Sequence, residues 1–321
     1  MFSSASKFLL LFFLITFSIT SYSQSTKYPY PVQFFNLNID EQHLLMAYMD
    51  VKPENPNGES ILLFHGKNFN GFYWKDVIPA LTKAGYRVIA PDQIGWGKSS
   101  KPNLKYTFEM LARNNKLLLD SLGIKKVNVI GHSMGGMLAT RFCLMYPNRL
   151  STLILEDPLG LEDYRNFVTM QPIEKVYKKN LNETYASYKK YQKTYYPVWK
   201  SKYEIYVKVQ AEALKQNDFA SVAWVQALTS QMIYEQPVLY EFKKIRVPVL
   251  FIVGKNDRTI PGKGLLSSAQ KISHGNFPAL AKNAASQIKN AKVIVLKGVG
   301  HIPHIQTTTI FNKHVIDFLN D

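Results

Sequence analysis

VIGHSMGGML, residues 129–138, sets Ser133 between Gly131 and Gly135, with Gly136 following directly. An apolar, β-branched run (VNVI, 127–130) leads into it and a helical-looking run (MLATRFCLMYP, 137–147) leads out. Small residues two positions before and after the serine imply a backbone too sharply turned for larger side chains. A serine held at such a strand-to-helix junction projects its hydroxyl above the sheet, where the helix N-terminus favours developing negative charge. The backbone N–H of Met134 is then placed to donate to an oxyanion. Ser133 is therefore the first candidate nucleophile.

Outward from this junction, short β-like runs alternate with amphipathic stretches. VQFFNL (32–37) and LLMAYMDV (44–51) are separated by polar NIDEQH and read as an antiparallel pair. ILLFH (61–65), YRVIAP (86–91), VNVIGH (127–132), LSTLILE (150–156), VPVLFIV (247–253) and AKVIVLK (291–297) are near-continuous apolar runs, as expected of strands covered on both faces. Helical candidates lie near 74–84, 109–122, 134–146, 278–289 and 306–319. This alternation predicts an α/β fold, a mostly parallel central sheet with helices on both faces. It breaks between residues 158 and 243, a stretch that reads as several helices and holds 11 of the 19 tyrosines and two of the four tryptophans. An insertion after a strand end sits where open α/β sheets bind ligands, so it is expected to be a helical cap. Most of its aromatics are expected to pack it onto the body, and a few to line a pocket. The divisions are then a core at 24–157, the cap at 158–243 and a second part of the core at 244–321.

The first 23 residues stand apart. Lys7, the apolar stretch FLLLFFLITFSI (8–19) and small residues at Ser21 and Ser23 have the organisation of a secretory signal peptide. The apolar stretch falls short of the roughly 20 residues of a membrane span. The mature chain would begin at Gln24, carry no membrane span, and be periplasmic or secreted. With Cys143 the sole cysteine of 321 residues, no intramolecular disulfide can form. At 46% hydrophobic, a chain of this length holds an adequate core without one. The net charge of +16 is concentrated after residue 243, where 11 Lys and Arg face 3 acidic residues. These lysines are scattered singly and no nucleic-acid motif accompanies them, so a basic solvated surface is expected, with at most weak association to anionic surfaces. No H-E-x-x-H, Walker or dinucleotide fingerprint appears; neither a metal nor a cofactor is expected.

With GHSMG at a strand–helix junction, the chain resembles the α/β-hydrolase superfamily over about residues 32–321, least through the cap. That resemblance implies a triad in the order serine, acid, histidine. VPVLFIVGKNDRTIP looks like the family's strand and acid turn and points to Asp257. AKVIVLKGVGHIPH looks like its last strand and turn and points to His301. A histidine suits the general base near neutral pH, and a carboxylate on its other nitrogen fixes the tautomer. LILEDP leaves Glu156 and Asp157 as alternative acids, or as caps of the first cap segment. His304, three residues beyond His301, is expected to pack or make a structural hydrogen bond. LLFHGKNFNGFYW resembles the family's His-Gly turn, which implies the backbone of Lys67 as the second oxyanion donor, Asn68 as a candidate substrate contact and His65 as structural. DQIGWGKSSKP looks like the loop after the fourth strand, with Asp92, Gly95 and Gly97 forming turns and Trp96 a candidate pocket wall.

Dehalogenases and epoxide hydrolases of the superfamily carry Asp where Ser133 stands, which disfavours both. Serine, histidine and an acid imply hydrolysis of a carboxylic ester or lactone through an acyl-enzyme, on a small, mostly apolar substrate. Carbon–carbon hydrolases of vinylogous diketones, cofactor-free perhydrolases and prolyl aminopeptidases share the triad. Met134 replaces the tryptophan usual beside the peptidase serine, and export disfavours the carbon–carbon reaction. A silent binding protein of this fold would have lost a triad member.

Overall fold

The computed structural model describes residues 27–321, so the leader expected at 1–23 lies outside the described residues. Eight strands form one sheet: β1 (Val32–Ile39), β2 (Gln42–Val51), β3 (Ser60–Phe64), β4 (Arg87–Pro91), β5 (Val127–His132), β6 (Leu150–Glu156), β7 (Val249–Gly254) and β8 (Ala291–Leu296). Their spatial order is β1-β2-β4-β3-β5-β6-β7-β8. β1 and β2 are an antiparallel pair, and β2 is also antiparallel to β4; every pairing from β4 onward is parallel.

Alternation along β3 shows why these apolar runs become strands. Leu62 and Phe64 enter one core, with Leu111 and Leu118 of the helix Phe108–Ser121 and Leu138 and Phe142 of the helix Met134–Met145. Ile61 and Leu63 enter the other, with Ile78 and Leu81 of the helix Ile78–Lys83 and Phe311, Val315 and Phe318 of the helix Thr308–Asn320. A strand whose successive side chains point to opposite faces needs apolar residues at every position when both faces are covered. The apolar burial of Ile61 to Phe64 alone contributes several kcal/mol, at about 2 kcal/mol per buried side chain.

Between β6 and β7 the chain is helical: Ile173–Leu181, Tyr185–Lys193, Glu204–Ala211 and Phe219–Glu235, joined by short 3-10 turns. The last helix sends Val225, Met232 and Ile233 into the first core, while Tyr195, Tyr196, Tyr203 and Tyr206 join the second. Two short helices lay outside the sequence expectations: Ser268–Ser273 between β7 and β8, which starts at a reciprocal Ser267–Gln270 cap, and Pro303–Gln306 after β8. Among the described residues no helix is long and apolar enough to cross a membrane.

The chain leaves β3 toward β4 on one side and reaches β5 on the other, so the sheet order reverses beside β3 and β5. Ligands of open α/β sheets bind at the carboxyl ends of strands near such a reversal. His65, Ser133, Glu156, Asp257 and His301 all follow or end strands there.

Candidate active site

Ser133 sits at φ 56°, ψ −120°, a conformation that side chains other than glycine rarely adopt. The surroundings hold it there. Its N–H donates to the Glu156 carbonyl (3.1 Å), and its own carbonyl accepts from Gly136 (2.9 Å) and Leu159 (3.0 Å). A methyl group at Gly131 would lie 2.3 Å from the Gly135 carbonyl oxygen, and one at Gly135 would lie 2.2 Å from that of Phe64. Both are far inside van der Waals contact with backbone. The two glycines flanking the serine are thus required because β5, β3 and the following helix converge on one point.

His301, in the turn after β8, joins three groups. Its Nε2 lies 2.9 Å from Ser133 Oγ and its Nδ1 2.7 Å from Asp257 Oδ2. Its backbone N–H donates to the Tyr195 carbonyl (2.8 Å), in the β6–β7 insertion. The Asp257 carboxylate also accepts from the Thr259 N–H (2.8 Å). Burial favours the neutral form of Asp257, but the facing imidazole and hydrogen bonds from His301, Asp157 and Thr259 outweigh it and hold the carboxyl below its ordinary range.

The two alternative acids go elsewhere. Glu156 accepts from the backbone and the Nδ1 of His304 (2.7 and 2.8 Å). Asp157, at φ 35°, accepts the Gly254 N–H (3.0 Å) and shares a hydrogen bond with Asp257. Burial and the neighbouring Asp257 charge raise the Asp157 carboxyl far above its usual range, so Asp157 is the protonated partner, and it donates to Asp257. Neither residue caps a helix of the insertion, as the sequence had allowed. The bonds explain why: both carboxyls are spent inside the strand-end layer. The ligand atoms of Asp157, Asp257 and His301 lie within 4.8 Å of one another, and they are engaged with each other and with Ser133.

His304 stacks on Trp74 (ring centroids 4.4 Å apart), and burial lowers its imidazole to about 3. His65 donates from Nδ1 to the Gly66 carbonyl (2.9 Å) and accepts at Nε2 from the Gln93 N–H (3.0 Å), which holds the two loops together. Asp92 accepts from Gly71, Lys98 and Tyr28 and ties the same loops. Gly95 and Gly97 have the positive φ of turns.

A tight turn runs from Gly66 to Phe69, closed by an N–H to carbonyl bond of 3.1 Å, with Lys67 and Asn68 at its centre. Gly66 packs on Ser133; a methyl added to it would lie 3.2 Å from Ser133 Cβ. Among the described residues neither the Lys67 nor the Met134 amide has an acceptor. Two free donors on either side of a serine hydroxyl can receive a developing oxyanion. Asn68 Nδ2 donates to the Tyr195 hydroxyl (2.8 Å), and Trp96 Nε1 donates to the Lys67 carbonyl (2.6 Å). Asn68 is thus a tie to the insertion as well as a wall. Beside the turn lies a cavity of about 270 Å³, walled by Lys67, Asn68, Phe72, Trp96, Gln210 and Val222 among others. Ser133 itself is not on that wall; the Gly66–Asn68 turn stands between.

Two participants escaped the sequence reading. Tyr195 supplies the carbonyl that seats His301 and a ring 5.0 Å from the imidazole. Nothing in the local sequence separates it from ten other tyrosines of the insertion. His132 occupies the variable position before Ser133, with Nε2 2.8 Å from the His301 carbonyl and Nδ1 3.1 Å from the Tyr73 hydroxyl. A carbonyl only accepts, so Nε2 carries the proton and Nδ1 accepts from Tyr73. The Tyr73 oxygen in turn accepts the Gly66 N–H (2.8 Å). A buried chain of hydrogen bonds therefore links the Gly66 turn to the histidine loop. Its signal was the polar residue inside an otherwise apolar strand end.

Comparison with known proteins gives the family. Residues 59–197 match the family model described as alpha/beta hydrolase fold. The structure superposes with a TM-score of 0.89 on a probable hydrolytic enzyme from Pseudomonas aeruginosa PAO1, at 40% identity, covering 91% of this chain and 95% of that one. The chain is 26% identical over 271 residues to 2-hydroxy-6-oxo-6-phenylhexa-2,4-dienoate hydrolase of Comamonas testosteroni, 83% of this chain and 89% of that protein. A shorter match, 36% identical over 120 residues, is to bifunctional epoxide hydrolase 2 of Sus scrofa; it spans only 22% of that protein. A single sheet with this strand order, the strand-end cluster and a relative similar over nearly its whole length lead to one conclusion: the chain is an enzyme belonging to the α/β-hydrolase family.

Proposed function

We propose that this hydrolase cleaves a carboxylic ester or lactone through an acyl-enzyme on Ser133, with His301 as base and Asp257 as acid. The observation that carries the reading is the bridging imidazole, 2.9 Å from the Ser133 hydroxyl and 2.7 Å from the Asp257 carboxylate. His301 Nε2 takes the Ser133 proton as Oγ attacks the carbonyl carbon. The oxyanion is received by the Lys67 and Met134 amides, and His301 returns the proton to the departing alcohol. A water activated by the same imidazole then releases the acid. Asp257 holds the proton on Nδ1 and stabilises the imidazolium, and the Asp157 donor keeps Asp257 ionised and aimed. Residues 158–243 act as the cap over this site, and residues 1–23 direct export, with the mature enzyme in the periplasm or secreted.

Ser133 argues against the epoxide hydrolase reading, because the resemblance implies Asp at that position. The long alignment with the Comamonas testosteroni hydrolase favours one second reading, hydrolysis of a carbon–carbon bond next to a ketone. Turnover of p-nitrophenyl esters and lactones, with fluorophosphonate labelling of Ser133 read by mass spectrometry, separates the two. Labelling with ester turnover supports the esterase. Labelling without it, together with cleavage of a vinylogous diketone, supports the second reading. Absence of labelling overturns both.

A further inference from the structure

The turn that carries an oxyanion amide also carries a lysine side chain, and that lysine forms no ion pair among the described residues. Lys67 follows the glycine packed against Ser133 and lines the adjoining cavity. Its ammonium makes no hydrogen bond or ion pair with any described residue. Of the charged groups acting on it, Lys179 repels it and Glu183 attracts it without forming an ion pair, its carboxylate also accepting from the Ser187 hydroxyl. The cavity's other cations are already held: Lys98 lies over the Tyr28 ring (4.7 Å), and Lys101 donates to the carbonyls of Gly97 (2.9 Å) and Ser99 (3.0 Å). Its one carboxylate, Glu212, likewise has a contact of its own. Enclosure without a partner is costly for a cation, and proteins accept it where a ligand supplies the opposite charge.

We propose that Lys67 selects a substrate bearing a carboxylate a few methylenes from the scissile carbonyl, such as a half-ester of a short dicarboxylic acid. The ester lies at Ser133 and the free carboxylate reaches over the turn to the Lys67 ammonium. A single unengaged ammonium, with amide side chains and aromatic faces around it, matches a monoanion better than a doubly charged phosphate. The apolar lining from Phe72, Trp96 and Val222 accommodates the methylenes between. This inference names the substrate class of the serine hydrolase proposed above and rests on that reading.

The test compares p-nitrophenyl hydrogen adipate with its methyl ester, two substrates of nearly equal size that differ by one charge. Within each variant only the ratio of their kcat/KM values is read, so a general loss of activity or of folded protein cancels. The wild type is expected to favour the acid at least tenfold, through KM. Lys67→Met should bring the ratio to about one, and Lys67→Arg should keep most of it. A wild type that prefers the methyl ester, or a Lys67→Met enzyme that keeps the preference, overturns the proposal. Calorimetric binding of monomethyl adipate to Ser133→Ala protein, with and without Lys67→Met, reads the same site without chemistry. Binding that disappears in Lys67→Met sustains the anion site even if no ester is turned over, in which case it is the esterase reading that has failed. Equal binding by the two proteins overturns the anion site.

Discussion

Two buried histidine–carboxylate pairs lie three residues apart in this chain, and only one has the makings of a catalytic device. His301 and Asp257 meet at 2.7 Å, His304 and Glu156 at 2.8 Å, and all four side chains are almost completely buried. The first imidazole presents its far nitrogen to a serine hydroxyl. Among the described residues the second faces no hydroxyl with its far nitrogen and is sealed between Trp74, Tyr73 and Phe311. A carboxylate behind an imidazole is thus as much a way of fixing a loop as of doing chemistry. What separates the two is the third group and the free amides around it.

The contrast is broken most directly at Ser133. Ser133→Ala should reduce ester turnover by about 10⁴-fold or more and abolish fluorophosphonate labelling, with a urea midpoint close to wild type. Next, Asp257→Asn leaves the shape intact but removes the carboxylate that fixes the His301 tautomer; kcat should fall by about 10³–10⁴-fold. Glu156→Gln, the matching change in the other pair, should cost less than about tenfold. Comparable losses from the two would erase the distinction drawn here.

Stability should show the reverse ranking. His304→Ala removes a buried ring and one of the two donors to Glu156 and is expected to cost about 3–5 kcal/mol in urea unfolding. Activity per folded molecule should stay within about tenfold of wild type.

Acidity sharpens the same comparison. Burial lowers His304 and His132 from 6.5 to about 3, so the native state binds fewer protons than the unfolded chain. Their contribution is present above pH 6.5 and is lost as pH falls toward 3. Glu156, raised by burial from 4.5 to about 7, has the opposite sign: its contribution is lost as pH rises from 4.5 to 7. Between pH 4.5 and 6.5 the lowered histidines oppose both the raised Glu156 and the raised Asp157, so their slopes largely cancel. Below 4.5 the slope should steepen. His304→Asn should flatten the acid limb, measured by urea unfolding from pH 4 to 7.

The smallest expected effect lies at the mouth of the site. Burial, with repulsion from Lys179, lowers Lys67 to about 8 against the pull of Glu183. The ammonium is therefore lost as pH rises through about 8, and KM for p-nitrophenyl hydrogen adipate should rise there, while that for the methyl ester should not follow. Lys98, Lys101 and Glu212 share the cavity, so the same profile in Lys67→Met separates Lys67 from them.

Most of the sheet was readable because a strand covered on both faces leaves an unbroken apolar run, and β3, β5 and β7 are such runs. Ser133 and Asp257 were readable because they follow β5 and β7, and His301 because it follows the last apolar run, β8. The ambiguity at Glu156 and Asp157 had a geometric origin. Neighbouring residues at a strand end point to opposite sides, so one reached His304 and the other Asp257. Which side faced the base depended on two loops more than 90 residues downstream (Asp157 to Gly254 spans 97). The insertion was least readable. Its longest helix, Phe219–Glu235, is apolar on several faces because it packs against both the body and other insertion helices, so no single stripe marks its register. Tyr195 acts mainly through its backbone carbonyl, which carries no side-chain signal.

That carbonyl has a consequence for anyone who would re-engineer this enzyme. His301 is seated by a hydrogen bond to Tyr195, and a methyl added to Gly300 would fall 2.2 Å from the same oxygen. The insertion is therefore a structural member of the proposed active centre, not an exchangeable module. A chimera that transplants a foreign segment between β6 and β7 would import a new pocket and remove a support of His301 in the same step. Useful diversity would come from varying the helices on either side while leaving the Tyr195–Gly300 crossing untouched.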